Sequence, residues 1–275
     1  MTSGRTLLAG NADYARGLAR AAAGAVIFGF PMMMTMELWE LGFHMDRLRL
    51  ALFVCAMAAV VFGLSVFAGF RDVNDLFDDV LDAFAAVAVG FGVSAVMLAI
   101  FGLLTAEMTM GEWVGKIAVQ AGPAAIGAIL ANKQLNGPGA VERKREGDAG
   151  YVSELFLMGA GALFLALNVA PTEEMVLIGY RMSAWHALGL VALSIGALHA
   201  LVCTVGFAGH EAQEKPLLAF FHFTLAGYGL ALAVSVYALW TFGRLDDVGL
   251  NEVVRSAVVL GFPAALGAAL ARLLV

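Results

Sequence analysis

Two glutamates recur in one short pattern at widely separated places. Thr35-x-Glu37-(x4)-Gly42 is matched by Thr172-x-Glu174-(x4)-Gly179, at an offset of 137 residues. Each acid closes a long apolar stretch, and each has an acidic neighbour, Glu40 in the first copy and Glu173 in the second. A carboxylate at the edge of an apolar layer costs a few kcal/mol unless it is paired, protonated or wetted. Carboxylates brought together from two copies could ring a small cation at the mouth of a pore. The alternative is that both acids end their helices among lipid headgroups.

Prolines precede both acids, Pro31 in the first copy and Pro171 in the second. Each removes a backbone donor and should kink or break its helix. Broken helices beside polar residues form the ion sites of many secondary transporters, where freed carbonyls help to hold the ion. Asn168, just before Pro171, and Gln120, inside another apolar stretch, are candidates to line such a path or to satisfy the freed backbone. Asp75, Asp78, Asp79 and Asp82 share one helical face by their spacing and could form an acidic vestibule that concentrates cations. Acids at a helix N-terminus also offset the macrodipole, which is the plainer reading. His199 and His222 lie in apolar stretches and are candidates for pH sensing. His186 shares a stretch with His199 and gives no facing pair for a haem, so no cofactor is expected. No nucleotide-binding glycine motif, nucleophile elbow or zinc signature is present, which argues against an enzyme. The identity of any bound metal stays open.

The elements that carry these residues follow from composition. Hydrophobic residues make up 61% of the 275 and charged ones 14%, and the mean hydropathy is +0.85, far outside the soluble range. Charge-free runs cover 21–36, 50–70, 83–106, 117–132, 155–172, 182–209, 216–243 and 256–271. A bilayer core needs roughly 20 helical residues. The reading is all-α, with eight transmembrane helices over about 18–38, 48–70, 80–105, 116–133, 151–172, 182–207, 216–242 and 254–273. Residues 5–20 read as an amphipathic lead-in on the membrane surface. Cys55 and Cys203 fall inside apolar runs and read as core packing, not a disulfide framework.

The two halves repeat. Pro123-Ala-Ala-Ile-Gly-Ala-Ile-Leu-Ala131 and Pro263-Ala-Ala-Leu-Gly-Ala-Ala-Leu-Ala271 differ at two positions. Gly90-Phe91-Gly92 matches Gly227-Tyr228-Gly229, read as small residues for close helix approach. Residues 1–133 and 151–275 are then four-helix repeats, joined by a charged, Gly-rich cytoplasmic linker at 134–150. An even number of spans per repeat makes the two parallel. Ten Lys and Arg fall on the side of both termini and six on the other, which places the termini in the cytoplasm. Trp39, Trp113, Trp185 and Trp240 all fall at outer helix ends, where indoles favour the headgroup zone.

The stretch Phe30-Pro31-Met-Met-Met-Thr35-Met36-Glu37-Leu38-Trp39-Glu40-Leu41-Gly42, together with Gly115-Lys116-Ile-Ala-Val-Gln120-Ala-Gly122-Pro123, resembles an uncharacterised family of bacterial integral membrane proteins. The resemblance implies a bacterial inner-membrane location and no mechanism. The functional expectation is transport of a small inorganic cation, by channel or carrier, along the interface of the repeats. Glu37, Glu174, Glu40 and Glu173 would stand at the outer mouth. The alternative is a non-transporting scaffold or sensor that binds a protein or lipid. The bilayer is the expected partner, a homo-oligomer is permitted, and nucleic acid is not expected.

Overall fold

The computed structural model describes residues 2–68, 76–135, 150–204 and 220–274. Asp75 and most of the linker lie outside them, as do the side chains of Asp78 and Cys203. The described residues are helical, with no strand among them. Seven helices are long and apolar enough to cross a bilayer, and an eighth span results if one bent pair is counted as one.

The chain divides into two compact units. The first comprises Met1–His44 and Leu50–Pro138, the second Met45–Arg49 and Gly139–Val275. The first unit contains α1 (Thr2–Met33), α2 (Met36–His44), most of α3 (Arg47–Ala68), α4 (Leu76–Ile100) and α5 (Met110–Leu135). The second contains α6 (Tyr151–Val169), α7 (Glu173–Arg181), α8 (Ala184–Thr204), α9 (Phe220–Thr241, opening with a π-helical turn at Phe220–Leu225) and α10 (Leu250–Leu274). Each unit thus runs long helix, nine-residue helix, then three long helices.

Several boundaries differ from those read in the sequence, for identifiable reasons. The helix expected over 18–38 is divided at Met34–Thr35, where α1 gives way to α2, whereas α6 covers the expected 151–172 except for its last three residues, Ala170–Thr172. Residues 5–20 are not a separate lead-in, because nothing between them and the first apolar run breaks the helix and α1 is continuous. The helices α5 and α10 begin four to six residues before their expected starts, with Glu112 and Glu252 in their first turns. Acids there oppose the helix dipole, so a charge read as a boundary is instead part of the helix.

In each unit the last helix is the core. Among the spanning windows, 83% of that in α5 is buried against 28% in α3 and α4, so α5 is the post on which the others pack. It touches α1, α2 and α4, while Gly122 faces Met57 and Phe53 of α3. In the second unit α10 touches α6, α7, α8 and α9. Lipid tails are as apolar as Leu, so helices here gain from close van der Waals fit and not from escaping water.

The repeated Pro-Ala-Ala-x-Gly motif supplies that fit. A Cβ on Gly127 would lie 2.7 Å from the Gly24 carbonyl oxygen and 2.5 Å from Phe28 Cβ. In the second unit Gly161 and Gly267 meet backbone to backbone in the same way. Ala131 and Ala271 fill the neighbouring position against Gly24 and Gly161. Gly90 and Gly227 are packed too, against Ala121 and Ala125 of α5 and against Met158 of α6. Gly92 and Gly229 have open space beside them, so only the first glycine of each Gly-x-Gly serves close approach.

A second repeated device ends the third long helix of each unit, α4 and α9. Gly102 and Gly243 both have φ of 71°. Leu103 N–H donates to Leu98 O at 2.9 Å and Gly102 N–H to Ala99 O at 3.0 Å. Arg244 N–H donates to Leu239 O at 2.8 Å and Gly243 N–H to Trp240 O at 3.1 Å. These are paired Schellman closures, which satisfy the orphan carbonyls and need a residue free to take positive φ. Cys55 is exposed on α3, so it does not pack the core as its apolar surroundings suggested.

Replacing Gly127 by Leu is expected to destabilise the protein by at least about 2 kcal/mol, because α1 and α5 must separate. Gly92→Ala should leave stability unchanged or raise it by about 0.5–1 kcal/mol, since nothing lies beside it and the unfolded chain loses freedom. Thermal unfolding in detergent checks both, and equal effects at the two positions would remove the packing assignment.

Candidate functional site

Each unit contains an elbow where its first long helix gives way to a short one. In the first unit α1 runs through Pro31 and ends at Met33, and α2 leaves at 87° to it. The break falls two residues beyond the proline, where Met34 N–H reaches back to Phe30 O at 3.2 Å and Thr35 N–H to Met32 O at 3.1 Å. Thr35 Oγ1 also donates to Met32 O at 2.8 Å, and Trp39 Nε1 donates to Met33 O at 2.7 Å. In the second unit α6 ends at Val169, followed by Ala170 and the buried Pro171. Thr172 N–H donates to Val169 O at 3.0 Å and its Oγ1 to the same oxygen at 2.8 Å.

The repeated Thr-x-Glu-(x4)-Gly pattern therefore has a physical meaning at every position. The threonine closes the end of one helix on a carbonyl three residues back. The glutamate sits in the first turn of the next helix, where its charge is worth about 0.3–1 kcal/mol against the dipole. The glycine lets the short helix touch the core helix. A Cβ on Gly42 would lie 2.7 Å from Lys116 Cα, and one on Gly179 would lie 3.3 Å from Ser256 Oγ.

The exposures of the acids separate them. Glu37 is half-buried, whereas Glu40, Glu173 and Glu174 are exposed. Among the described residues no three of His, Cys, Asp or Glu converge on a common point. Asp79 and Asp82 are half-buried on α4. Asn168 Nδ2 donates to Phe164 O at 2.7 Å, and its Oδ1 is buried without a hydrogen-bond partner. Gln120, on α5, is 1% exposed, and neither end of its carboxamide has a partner.

Three cations, one buried and two half-buried, sit on backbone carbonyls, and the sequence reading used them only to orient the chain. Lys116 is 4% exposed. Its Nζ donates to Leu103 O at 3.0 Å and lies 4.3 Å from the Phe43 ring centroid, within cation–π reach. Arg244 donates to the carbonyl of Pro171, and Arg255 Nη1 to Met182 O at 2.7 Å. All three thus sit on carbonyls at or just past helix C-termini, where a positive charge is favoured. The available signal was positional: Lys116 directly follows Gly115, and Arg244 directly follows Gly243 in a Phe-Gly-x-Leu pattern shared with Phe101–Leu104.

The histidines fall elsewhere in the second unit. His199 Nδ1 is 2.9 Å from Thr224 Oγ1, within the π-helical turn, and its ring stands edge-on to Phe220 at 5.1 Å. The imidazole of His222 is exposed, and the His222 carbonyl accepts from Tyr151 OH at 3.0 Å. His186 is exposed, 2.8 Å from Ser183 Oγ at the start of α8. No single site gathers these groups with the glutamates of their unit.

One ion pair ties the segment Met45–Arg49 into the second unit. Arg49 meets Asp246 through two hydrogen bonds, 2.7 and 2.8 Å, and stacks on Trp240 at 5.2 Å. A bidentate fork of this kind fixes orientation as well as charge.

These elements match a known family over nearly the whole chain. The chain belongs to the family described as Putative integral membrane protein (DUF2391), whose model covers residues 17–275. The resemblance read in the sequence is thereby borne out as to an uncharacterised integral membrane family. No curated protein and no solved structure matches the chain.

The Asp246 pair yields a pH dependence. Hydrogen bonds from Arg49, reinforced by its charge and opposed by partial burial, hold the Asp246 carboxyl below its ordinary range. A depressed carboxyl contributes stability above its unfolded value of about 3.9, and that contribution is lost as pH falls through the folded value. Asp246 is 49% exposed, so the pair is worth under about 1 kcal/mol. Asp246→Asn should therefore lower Tm slightly at pH 7, with the gap from the wild type closing once acid protonates the carboxyl. A gap independent of pH would remove the ion pair as its cause.

Proposed function

We propose that this integral membrane protein moves a small cation across the membrane, with its two elbows forming parts of the path. The observation that carries the reading is the broken first span of the first unit, with a helix end and a following nine-residue helix at the corresponding place in the second. Interrupted helices in duplicated membrane proteins are the usual place for ion and substrate sites, because a helix end exposes backbone groups that a continuous helix consumes. Each elbow also carries a carboxylate, Glu37 in one unit and Glu174 in the other, at the end of an apolar stretch. Such acids draw cations toward a mouth even when solvated. Glu40 and Glu173 add to the same field. Asp79 and Asp82, at the opposite end of α4 from the Gly102 closure, would act on the other side.

The topology that accompanies this reading places both termini in the cytoplasm of a bacterium and the elbows toward the outside, as the Lys and Arg distribution favours. The lipid bilayer is the obligatory partner, and a homo-oligomer is compatible with it.

Purified protein in liposomes should show cation flux above that of empty vesicles. Glu37→Gln combined with Glu174→Gln should lower it by about tenfold, corresponding to about 1.4 kcal/mol. Flux unchanged in the double variant would remove the glutamates from the path. Absence of flux in the wild type would remove transport, and a stable protein or lipid partner would then favour the scaffold alternative.

A further inference from the structure

Among the described residues, two side-chain amide oxygens are buried without partners, one from each unit: Gln120 Oε1 and Asn168 Oδ1. Each belongs to the neighbourhood of an elbow. On α5, Gln120 stands one turn from Lys116 and one turn from Ala124, on the same face. Lys116 packs against Gly42 of α2, and Ala124 against Gly29 of α1, so the carboxamide lies beneath the bend that joins those helices. Asn168 occupies the last turn of α6, directly before Ala170 and Pro171 at the second elbow. An amide buried without a partner costs roughly 1–3 kcal/mol on protein scales. Two such costs, one at each break, point to something that fills them.

At Asn168 the missing partner is a donor or a cation, while Gln120 has both its Oε1 acceptor and its Nε2 donor unfilled. The Nδ2 of Asn168 is already used on Phe164 O, so only acceptor capacity is unfilled there, and an anion cannot satisfy it. We infer that each elbow holds a subsite for a monovalent alkali-metal cation, with Gln120 Oε1 the amide ligand in the first unit and Asn168 Oδ1 in the second. This rests on the transport reading and names its substrate class. Elbow carbonyls complete the set, since each carbonyl oxygen has a second lone pair beyond its hydrogen bond.

Charge selects the class. Magnesium and calcium demand carboxylate ligands or retained water, and the buried oxygens at these elbows are neutral. Resident cations lie nearby: the Lys116 ammonium on one face with Gln120, and the Arg244 guanidinium on the Pro171 carbonyl. Coulomb repulsion from a fixed positive charge doubles for a divalent ion, so these surroundings exclude divalent ions more strongly than monovalent ones.

The test measures binding and not flux, so it can fail independently of transport. Full-length protein in detergent is unfolded by heat in sodium, potassium or choline chloride, and separately in magnesium chloride, at matched ionic strength. Sodium or potassium should raise Tm in a concentration-dependent manner, as expected when a ligand binds only the folded state; choline and magnesium should not. Gln120→Leu installs the residue found at the equivalent position, Leu260, and should reduce the rise. Combined with Asn168→Leu it should abolish it, and Gln120→Met serves if the leucine variant does not fold. No alkali-specific rise in the wild type means that water alone fills the amides, and this overturns the proposal even if flux is present. A rise undiminished in the double variant, or an equal rise with magnesium, overturns it too. A rise that the variants remove supports the subsites even if vesicles show no transport.

Discussion

The contact between the first and last long helices of each unit is what the rest of the structure depends on. In a bilayer there is no water to drive helices together, so association rests on how closely their backbones approach. Gly24 on Gly127 and Gly161 on Gly267 bring backbone against backbone at the crossing point, with no side chain of their own between them. That places α1 on α5 and α6 on α10, and the flanking alanines keep the fit along the next turn. With the core helix fixed, the remaining helices pack around it, using Gly122, Gly90 and Gly227 as secondary points of approach.

The elbows follow from the same constraint. A helix that crosses α5 at Gly24 cannot also continue straight and bring Gly42 onto Lys116. The chain breaks after Pro31, closes the broken end with Thr35, and sends a nine-residue helix across to the core. The second unit repeats the solution with Pro171, Thr172 and Gly179. The prolines stand at different distances from their breaks, because proline weakens the helix locally while the threonine closure and the glycine contact decide where it ends. Sharing this scaffold, the units differ in their polar contents. The first has Lys116 and Gln120 on its core helix, where the second has Ser256 and Leu260. The second has Arg244 and a His199–Thr224 pair at a π-helical turn. Such turns are frequent at functional positions because they leave the regular backbone pattern. A duplication that keeps its packing residues and changes its polar ones retains a fold while making its halves chemically unequal.

Lys116 is buried and rests on a backbone carbonyl, as do the half-buried Arg244 and Arg255, while of the repeated carboxylates Glu37 is half-buried and Glu174 exposed. A lysine or arginine on a C-terminal carbonyl satisfies an orphan acceptor and opposes the helix dipole together, so Lys116, Arg244 and Arg255 have a structural reason to be where they are. The glutamates have one too, in the first turns of α2 and α7. Among the buried polar atoms that packing leaves without a partner are the two amide oxygens of Gln120 and Asn168.

The sequence by itself determined the membrane class, the all-helical character and the family, because apolar runs of spanning length admit few other structures. It also exposed the repeated residues, although the reasons for them stayed hidden. Gly24 and Gly127 are about a hundred positions apart, and only their meeting shows why both must be glycine. Tertiary structure alone decided that the first span of the first unit is divided, since a charge-free run reads as continuous whether or not it bends. It alone decided that Lys116 is interior, because hydropathy treats a lysine near a boundary as the boundary. Whether Gln120 is paired likewise depends on neighbours contributed by other helices, and linear spacing carries no record of them.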